Sequence, residues 1–98
     1  MIVRIVKLSF HAEFISDFKT IFEENKHNII SQKGCSRVEM LQDINNLNVF
    51  LTYSWWNSEE NLNNYRNSDL FKTVWKKTKV LFNKKPEAWS TNKINEAL

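Results

Sequence analysis

Apolar positions recur along this chain with two different periods, and the switches between them lay out the elements. Residues 2 to 10, Ile2-Val3-Arg4-Ile5-Val6-Lys7-Leu8-Ser9-Phe10, are rich in Ile and Val. Branching at Cβ stiffens these side chains and favours extended backbone, so the run predicts a central strand despite Arg4 and Lys7. Phe14, Phe18, Ile21, Phe22 and Asn25 then fall three or four apart, with Glu13, Asp17, Lys19, Glu23, Glu24 and Lys26 on the other faces. That spacing predicts an amphipathic helix. Ile29-Ile30 finishes the helix or covers its end, and Gly34, the only glycine, is available for a left-handed or tight position before the next element.

Period two returns at Cys35 to Gln42, weakly, with Val38 and Met40 on one parity and Arg37, Glu39 and Leu41 on the other. Turn formers occupy Asp43 to Asn48, and Val49-Phe50-Leu51-Thr52-Tyr53-Ser54-Trp55-Trp56 follows as the strongest strand of the chain. These two strands are expected to form a hairpin. Ser58 is placed to cap a helix with Glu59 and Glu60 in its first turn and Leu62 and Tyr65 on one side; Ser68 repeats the arrangement. Leu70, Phe71, Val74, Trp75, Thr78, Leu81 and Phe82 then trace a helical stripe that Pro86 stops, and Ala88 to Ile94 serves as a last short strand.

The predicted order is strand, helix, strand, strand, helical pair, strand. It defines an α+β class, a ferredoxin-like split βαβ arrangement whose antiparallel sheet is covered by helices on one face. The strands carry apolar side chains at both parities: Ile2, Val6 and Leu8 against Val3 and Ile5, Phe50 and Trp56 against Val49, Leu51, Tyr53 and Trp55. An antiparallel sheet with one wet face alternates cleanly, so a second copy of the chain is expected over the other face, making a homodimer through the sheets.

Composition narrows the picture without changing it. At 98 residues, with no Gly-, Pro- or Ser-rich spacer, residues 1 to 98 read as one domain. Seven Phe and four Trp supply a core, which argues against disorder. Cys35 is alone, which excludes an intrachain disulfide and suits a reducing compartment. The charged residues within the first apolar run argue against a signal peptide or membrane span, so the expected location is cytoplasmic, with no membrane partner. The lysines from Lys72 to Lys85 read as a solvated helix end. Nucleic-acid binding would need exposed aromatics beside them, and the helical spacing instead puts Trp75 on the stripe with Phe71 and Phe82; no nucleic-acid partner is expected.

Chemistry-bearing residues are few. One glycine cannot build a Gly-rich phosphate loop, and no cluster of His, Cys, Asp and Glu has metal-ligand spacing, so no metal is predicted. His11 and His27 alone titrate naturally near neutrality. His27, at the end of the first helix, is accounted for by the helix terminus. Glu39 shares strand parity with Arg37, which makes a local ion pair the economical reading, and Cys35 without an adjacent His reads as a small apolar residue.

The segment Trp56-Asn57-Ser58-Glu59-Glu60-Asn61-Leu62-Asn63-Asn64-Tyr65-Arg66-Asn67-Ser68-Asp69-Leu70-Phe71 resembles the antibiotic biosynthesis monooxygenase-like domains of the dimeric alpha-beta barrel superfamily. Those domains carry a Trp ending the third strand, a Ser-Glu helix start, and an aromatic or His before a Ser-x-x-Phe step. The resemblance covers residues 2 to about 91. It implies two subunits with sheets face to face, each keeping a cavity between sheet and helices. In the haem-degrading branch, the resemblance implies an Asn on the first strand, a Trp before the Ser-Asp-x-Phe step and an iron-ligating His after it. Here the first strand has no Asn, Tyr65 stands for the Trp, and Trp75, whose indole has no lone pair for iron, stands for the His.

The cofactor-independent branch implies a different use of the cavity. There a small aromatic or quinol-like molecule supplies its own electrons to oxygen. On that reading Trp56, Trp75 and Phe71 form flat walls beside Tyr65, while Tyr53, Asn61 and Arg37 orient oxygen atoms if they point inward, and His11, near the cavity mouth, is the candidate proton acceptor. Catalytic roles accordingly fall to Tyr65, His11 and Asn61. No cofactor is predicted, though an aromatic cavity leaves room for flavin or haem. Two alternatives stay open beside this one: core packing of the aromatics, and a non-catalytic domain that binds an apolar metabolite or joins an assembly. The position of His11 discriminates between catalysis and plain binding.

Overall fold

The computed structural model describes residues 1–98. Its elements are β1 (Ile2–Ser9), a 3-10 turn (Ala12–Phe14), α1 (Ile15–Ile30), β2 (Cys35–Gln42), β3 (Val49–Trp56), α2 (Glu59–Arg66), α3 (Asp69–Lys79) and β4 (Glu87–Asn92). The four strands form one sheet in the order β2-β3-β1-β4, with every neighbouring pair antiparallel. This is the ferredoxin-like α+β arrangement expected from the period pattern.

Register fixes which side chains share a face, because alternate residues point to opposite sides. Arg4, Val6 and Leu8 of β1 lie opposite Ser54, Thr52 and Phe50 of β3, while Val38 and Met40 of β2 lie opposite Ser54 and Thr52. This row faces the helices. The other row contains Val3 and Ile5 opposite Trp55 and Tyr53, extended by Arg37 and Glu39 on β2 and by Thr91 and Trp89 on β4. No helix lies over it within the chain. Trp89 is 47% exposed and Leu41 41% exposed there, which are high values for large apolar side chains in a sheet.

The core sits where β1 and β3 meet α1. Leu8, Phe10, Phe18 and Phe50 are buried together, with Ile15, Met40, Trp75, Leu81 and Phe82 packed against them. The Phe10 and Phe18 rings stack at 4.3 Å, and Phe50 meets both edge-on at 5.8 and 5.3 Å, the offset and T-shaped arrangements that ring quadrupoles favour.

Both predicted serine caps are present. The Ser58 hydroxyl accepts from the Asn61 N–H and the Ser68 hydroxyl from the Phe71 N–H, each at 3.1 Å, satisfying a donor the helix itself cannot. Gly34 adopts φ +83°, the left-handed backbone for which it was singled out. The apolar stripe beyond α3 behaves differently from its period. The helix ends at Lys79, and Leu81 and Phe82 lie in the following turn, where Phe82 pairs with Phe10 in an isolated bridge. They still point to the core, because the turn folds back toward β1; His11 N–H donates to Leu81 O and Asn83 N–H to Ser9 O. The last strand ends at Asn92, short of the predicted Ile94, which is 90% exposed and has nothing to pack on.

Candidate functional site

A cavity of about 360 Å³ lies between the helix-facing side of the sheet and the three helices, within the range typical of small-molecule sites. Alpha1 contributes Phe18, Ile21, Phe22 and Asn25, and α2 and α3 contribute Leu62, Tyr65, Arg66, Phe71, Val74, Trp75 and Thr78. The floor is Arg4, Val6 and Leu8 with Thr52 and Ser54, and Pro86, just before β4, and Ala88, within it, complete the rim.

Four of the residues singled out in the sequence border this space: Tyr65, Phe71 and Trp75, and, through its place in β3, Tyr53. The two serine caps start α2 and α3 so that Tyr65 near the end of one helix meets Phe71 in the first turn of the next. The rings touch in series. Tyr65 meets Phe71 edge-on at 5.3 Å, Phe71 stacks on Trp75 at 5.9 Å with 9° between planes, and Trp75 meets Phe82 of the core cluster at 5.6 Å. The aromatic wall is thus buttressed by the core.

The other candidates lie elsewhere, and Tyr53 turns its ring away, for reasons of register and packing. Trp56 is fully buried behind the wall, stacked on Tyr65 at 5.0 Å, with its indole N–H donating to Ser54 Oγ at 2.8 Å. Arg37 is on the opposite sheet face, because it pairs with Trp55 rather than with an inward residue. Its guanidinium lies 4.9 Å over the Trp55 ring and donates to Glu39 at 2.9 Å. Tyr53 borders the cavity through its place in β3, but its ring packs toward Trp55 at 5.9 Å on that same opposite face. Asn61 packs over Gly34: a Cβ built on the glycine would come within 2.2 Å of Asn61 Nδ2. His11 is exposed beside the 3-10 turn, its ring edge-on to Phe14 at 6.0 Å, and is not on the cavity wall.

Two charged wall residues were not singled out. Arg4 was read only as an interruption of the first strand and Arg66 only as part of a motif. A signal was present: Arg4 has the parity of Ile2, Val6 and Leu8, so it had to share their face. Arg4 is half-buried and donates to Ser90 Oγ at 2.9 Å. Burial first, and the nearby positive charge of Arg66 second, pull its guanidinium below the ordinary arginine range.

Tyr65 is the other perturbed group. Burial, reinforced by the neighbouring Cys35, pushes its phenol up to about 12. At neutral pH it is therefore a hydrogen-bond donor and not a base. Burial also pushes the Cys35 thiol up, against a smaller opposing pull from a backbone hydrogen bond of Arg37. No Asp, Glu or His lies on the cavity wall. The arrangement offers a flat apolar slot, one phenolic donor and two cations.

Fold and site together describe a small α+β domain with an aromatic-lined cavity between its sheet and helices. The family model for antibiotic biosynthesis monooxygenase matches residues 1–77, and the chain belongs to that family. Solved structures agree on the fold. An antibiotic biosynthesis monooxygenase superposes with a TM-score of 0.89 at 12% identity, covering 97% of this chain and 100% of its own. A conserved protein from Methanosarcina mazei Go1 gives 0.88 at 20% identity, covering 96% and 94%. Rv0793 from Mycobacterium tuberculosis gives 0.89 at 11% identity, covering 99% and 98%. No curated protein matches the sequence.

The donor set does not fit haem held through an axial protein ligand. Trp75 stands on the wall where the resemblance implied a His, no His, Cys or Met lines the cavity, and Tyr65 keeps its proton. No group of three His, Cys, Asp or Glu is placed to hold a metal ion, and no helix is long and apolar enough to cross a membrane.

Proposed function

We propose that this chain is a cofactor-independent monooxygenase that oxidises a small aromatic or quinol-like molecule in the cavity between its sheet and helices. The carrying observation is the aromatic wall of Tyr65, Phe71 and Trp75 around about 360 Å³, in a chain whose family is named for monooxygenation. Phe71 and Trp75, parallel within 9°, suit a flat ring system. The protonated Tyr65 hydroxyl, on a ring packed against Trp56 and Phe71, donates to an oxygen of that ligand. In the reaction with a phenol, the C–H bond of one ring carbon and the phenol O–H bond break and two C=O groups form; one oxygen atom of O₂ becomes the new carbonyl oxygen and the other leaves as water with the two hydrogens. The substrate supplies all four electrons.

The protein acts as a homodimer, with the Tyr53, Trp55 and Trp89 face of each sheet packed on its twin, and its single thiol suits the cytoplasm. The test is oxygen uptake with a panel of one- to three-ring phenols and quinols, with ¹⁸O₂ to label the product. Uptake with one ¹⁸O per product supports the reading. A molecule that binds in the cavity while no panel member consumes oxygen overturns it in favour of a second reading, a non-catalytic binding domain. That second reading rests on one observation: the cavity wall holds no proton acceptor, since His11 lies outside it.

A further inference from the structure

We infer that the cavity binds its ligand as an aromatic oxyanion, with Arg4 and Arg66 stabilising the charged form, so that a bound phenol ionises without any base from the protein. This rests on the reading of the cavity as an aromatic-ligand site and specifies the charge of what enters it.

The two arginines come from separate elements, the central strand β1 and the last turn of α2, and line the same apolar space. Every other charged or titratable wall group is accounted for: α1, α3, β2 and the rim contribute none, β3 contributes only Tyr53, whose ring is on the far face, and α2 adds only Tyr65. Neither arginine has a carboxylate partner. The chain's ion pairs use Lys26 with Glu23, Arg37 with Glu39, and Lys93 with Glu96. Arg4 spends one N–H on Ser90, and Arg66 makes no side-chain hydrogen bond, so most of the five donors on each guanidinium remain free. Two cations near one another with no acid between them repel, and the half-buried one is also poorly hydrated. An anion between them relieves both effects. Planar guanidinium groups suit an oxyanion on a flat ring.

The step is a simple ionisation. The phenol O–H bond breaks heterolytically, the electron pair stays on oxygen beside the guanidinium groups, and the proton leaves to water. No oxidant is needed at this stage. The resulting ring is more electron-rich, which is the form that gives electrons to oxygen most readily.

The experiment uses 4-nitro-1-naphthol, whose phenol and phenolate differ in visible absorbance, and its methyl ether, which cannot ionise. With the wild-type chain in excess, spectral titration should place the bound phenol's ionisation at least one pH unit below that of the free phenol. Binding followed by tryptophan fluorescence should be about tenfold or more weaker for the ether at a pH where the free phenol is ionised. Arg66→Gln, at an exposed position, should return the ionisation most of the way to its free value and raise the melting temperature of the unliganded protein, because a like-charge neighbour of Arg4 is gone. Arg4→Gln should do the same to the ionisation. Equal binding of phenol and ether with an unshifted ionisation overturns this inference while leaving an aromatic-ligand cavity intact. Failure of both probes to bind overturns it together with the cavity reading. A shift that persists in both variants assigns the effect to other groups and also overturns it.

Discussion

At the residue scale, Tyr65 joins the site to the fold. Its ring lies between Trp56 behind and Phe71 beside it, and its hydroxyl is held in the protonated form. Tyr65→Phe removes one oxygen without disturbing either ring contact, so it should fold as the wild type does while lowering turnover of a phenolic substrate by about tenfold or more, the order expected for losing a positioned donor. Steady-state oxygen uptake checks this, and unchanged turnover removes the hydroxyl from the mechanism. The same substitution has a second readout. Between pH 10, where an ordinary tyrosine ionises, and about 12, the native state keeps a proton that the unfolded chain has released. Native protein then binds more protons, so stability falls as pH rises through that window, with a slope approaching about 1.4 kcal/mol per unit. Urea unfolding at pH 9, 10 and 11 should show wild-type stability dropping more steeply than that of Tyr65→Phe; parallel curves refute the assignment. Which tyrosine faces inward was legible only through strand parity and helix phase together. Tyr53 shares the parity of Trp55 and was lost to the far face, whereas Tyr65 three residues from Leu62 shares that buried residue's side.

Element boundaries follow local chemistry where a single side chain decides them. The caps at Ser58 and Ser68 and the left-handed Gly34 were readable because each satisfies a backbone requirement that few residues meet. The end of α3 was not readable, because Leu81 and Phe82 continue the helical period while reaching the core from a turn. Periodicity reports which side is buried and is silent on whether the backbone is still helical. The role of Asn61 was hidden similarly: its motif position suggested the cavity, but a glycine far away in sequence leaves the hole that its side chain fills. Gly34→Ala should therefore destabilise on two counts, about 1 to 2 kcal/mol for left-handed backbone at a non-glycine residue and a further cost for displacing Asn61 and the α2 start it belongs to. Gly34→Ala combined with Asn61→Ala tests the partition by chemical denaturation. The double variant should recover the steric part and keep the backbone part. Full recovery would assign the whole cost to the contact.

For the whole molecule, the unresolved balance lies on the sheet face that no helix covers. Across its middle run Glu39, Tyr53, Ile5 and Trp89, one from each strand in the register β2-β3-β1-β4. The neighbouring row brings Arg37, Trp55, Val3 and Thr91, with the Arg37 guanidinium already drawn over the Trp55 ring. A face with branched aliphatics at its centre and aromatics on either side gains by leaving water, at about 25 cal/mol for each Å² of apolar surface covered. The charged pair at its margin, Arg37 with Glu39 at 2.9 Å, is able to remain hydrated at the rim. Packing two copies about a two-fold axis satisfies this pattern because each patch meets itself. Sedimentation equilibrium at micromolar concentration should give twice the chain mass. Ile5→Lys sets a cation at the centre of each face, so two unpaired charges would have to be buried together; it should sediment as one copy with an unchanged far-ultraviolet circular dichroism spectrum. Because Ile5 points away from the cavity, Ile5→Lys should still bind 4-nitro-1-naphthol with the wild-type ionisation shift if each subunit's cavity is complete by itself. A single-copy mass for the wild type overturns the sheet-to-sheet pairing, and a dimeric Ile5→Lys places the contact elsewhere on the surface.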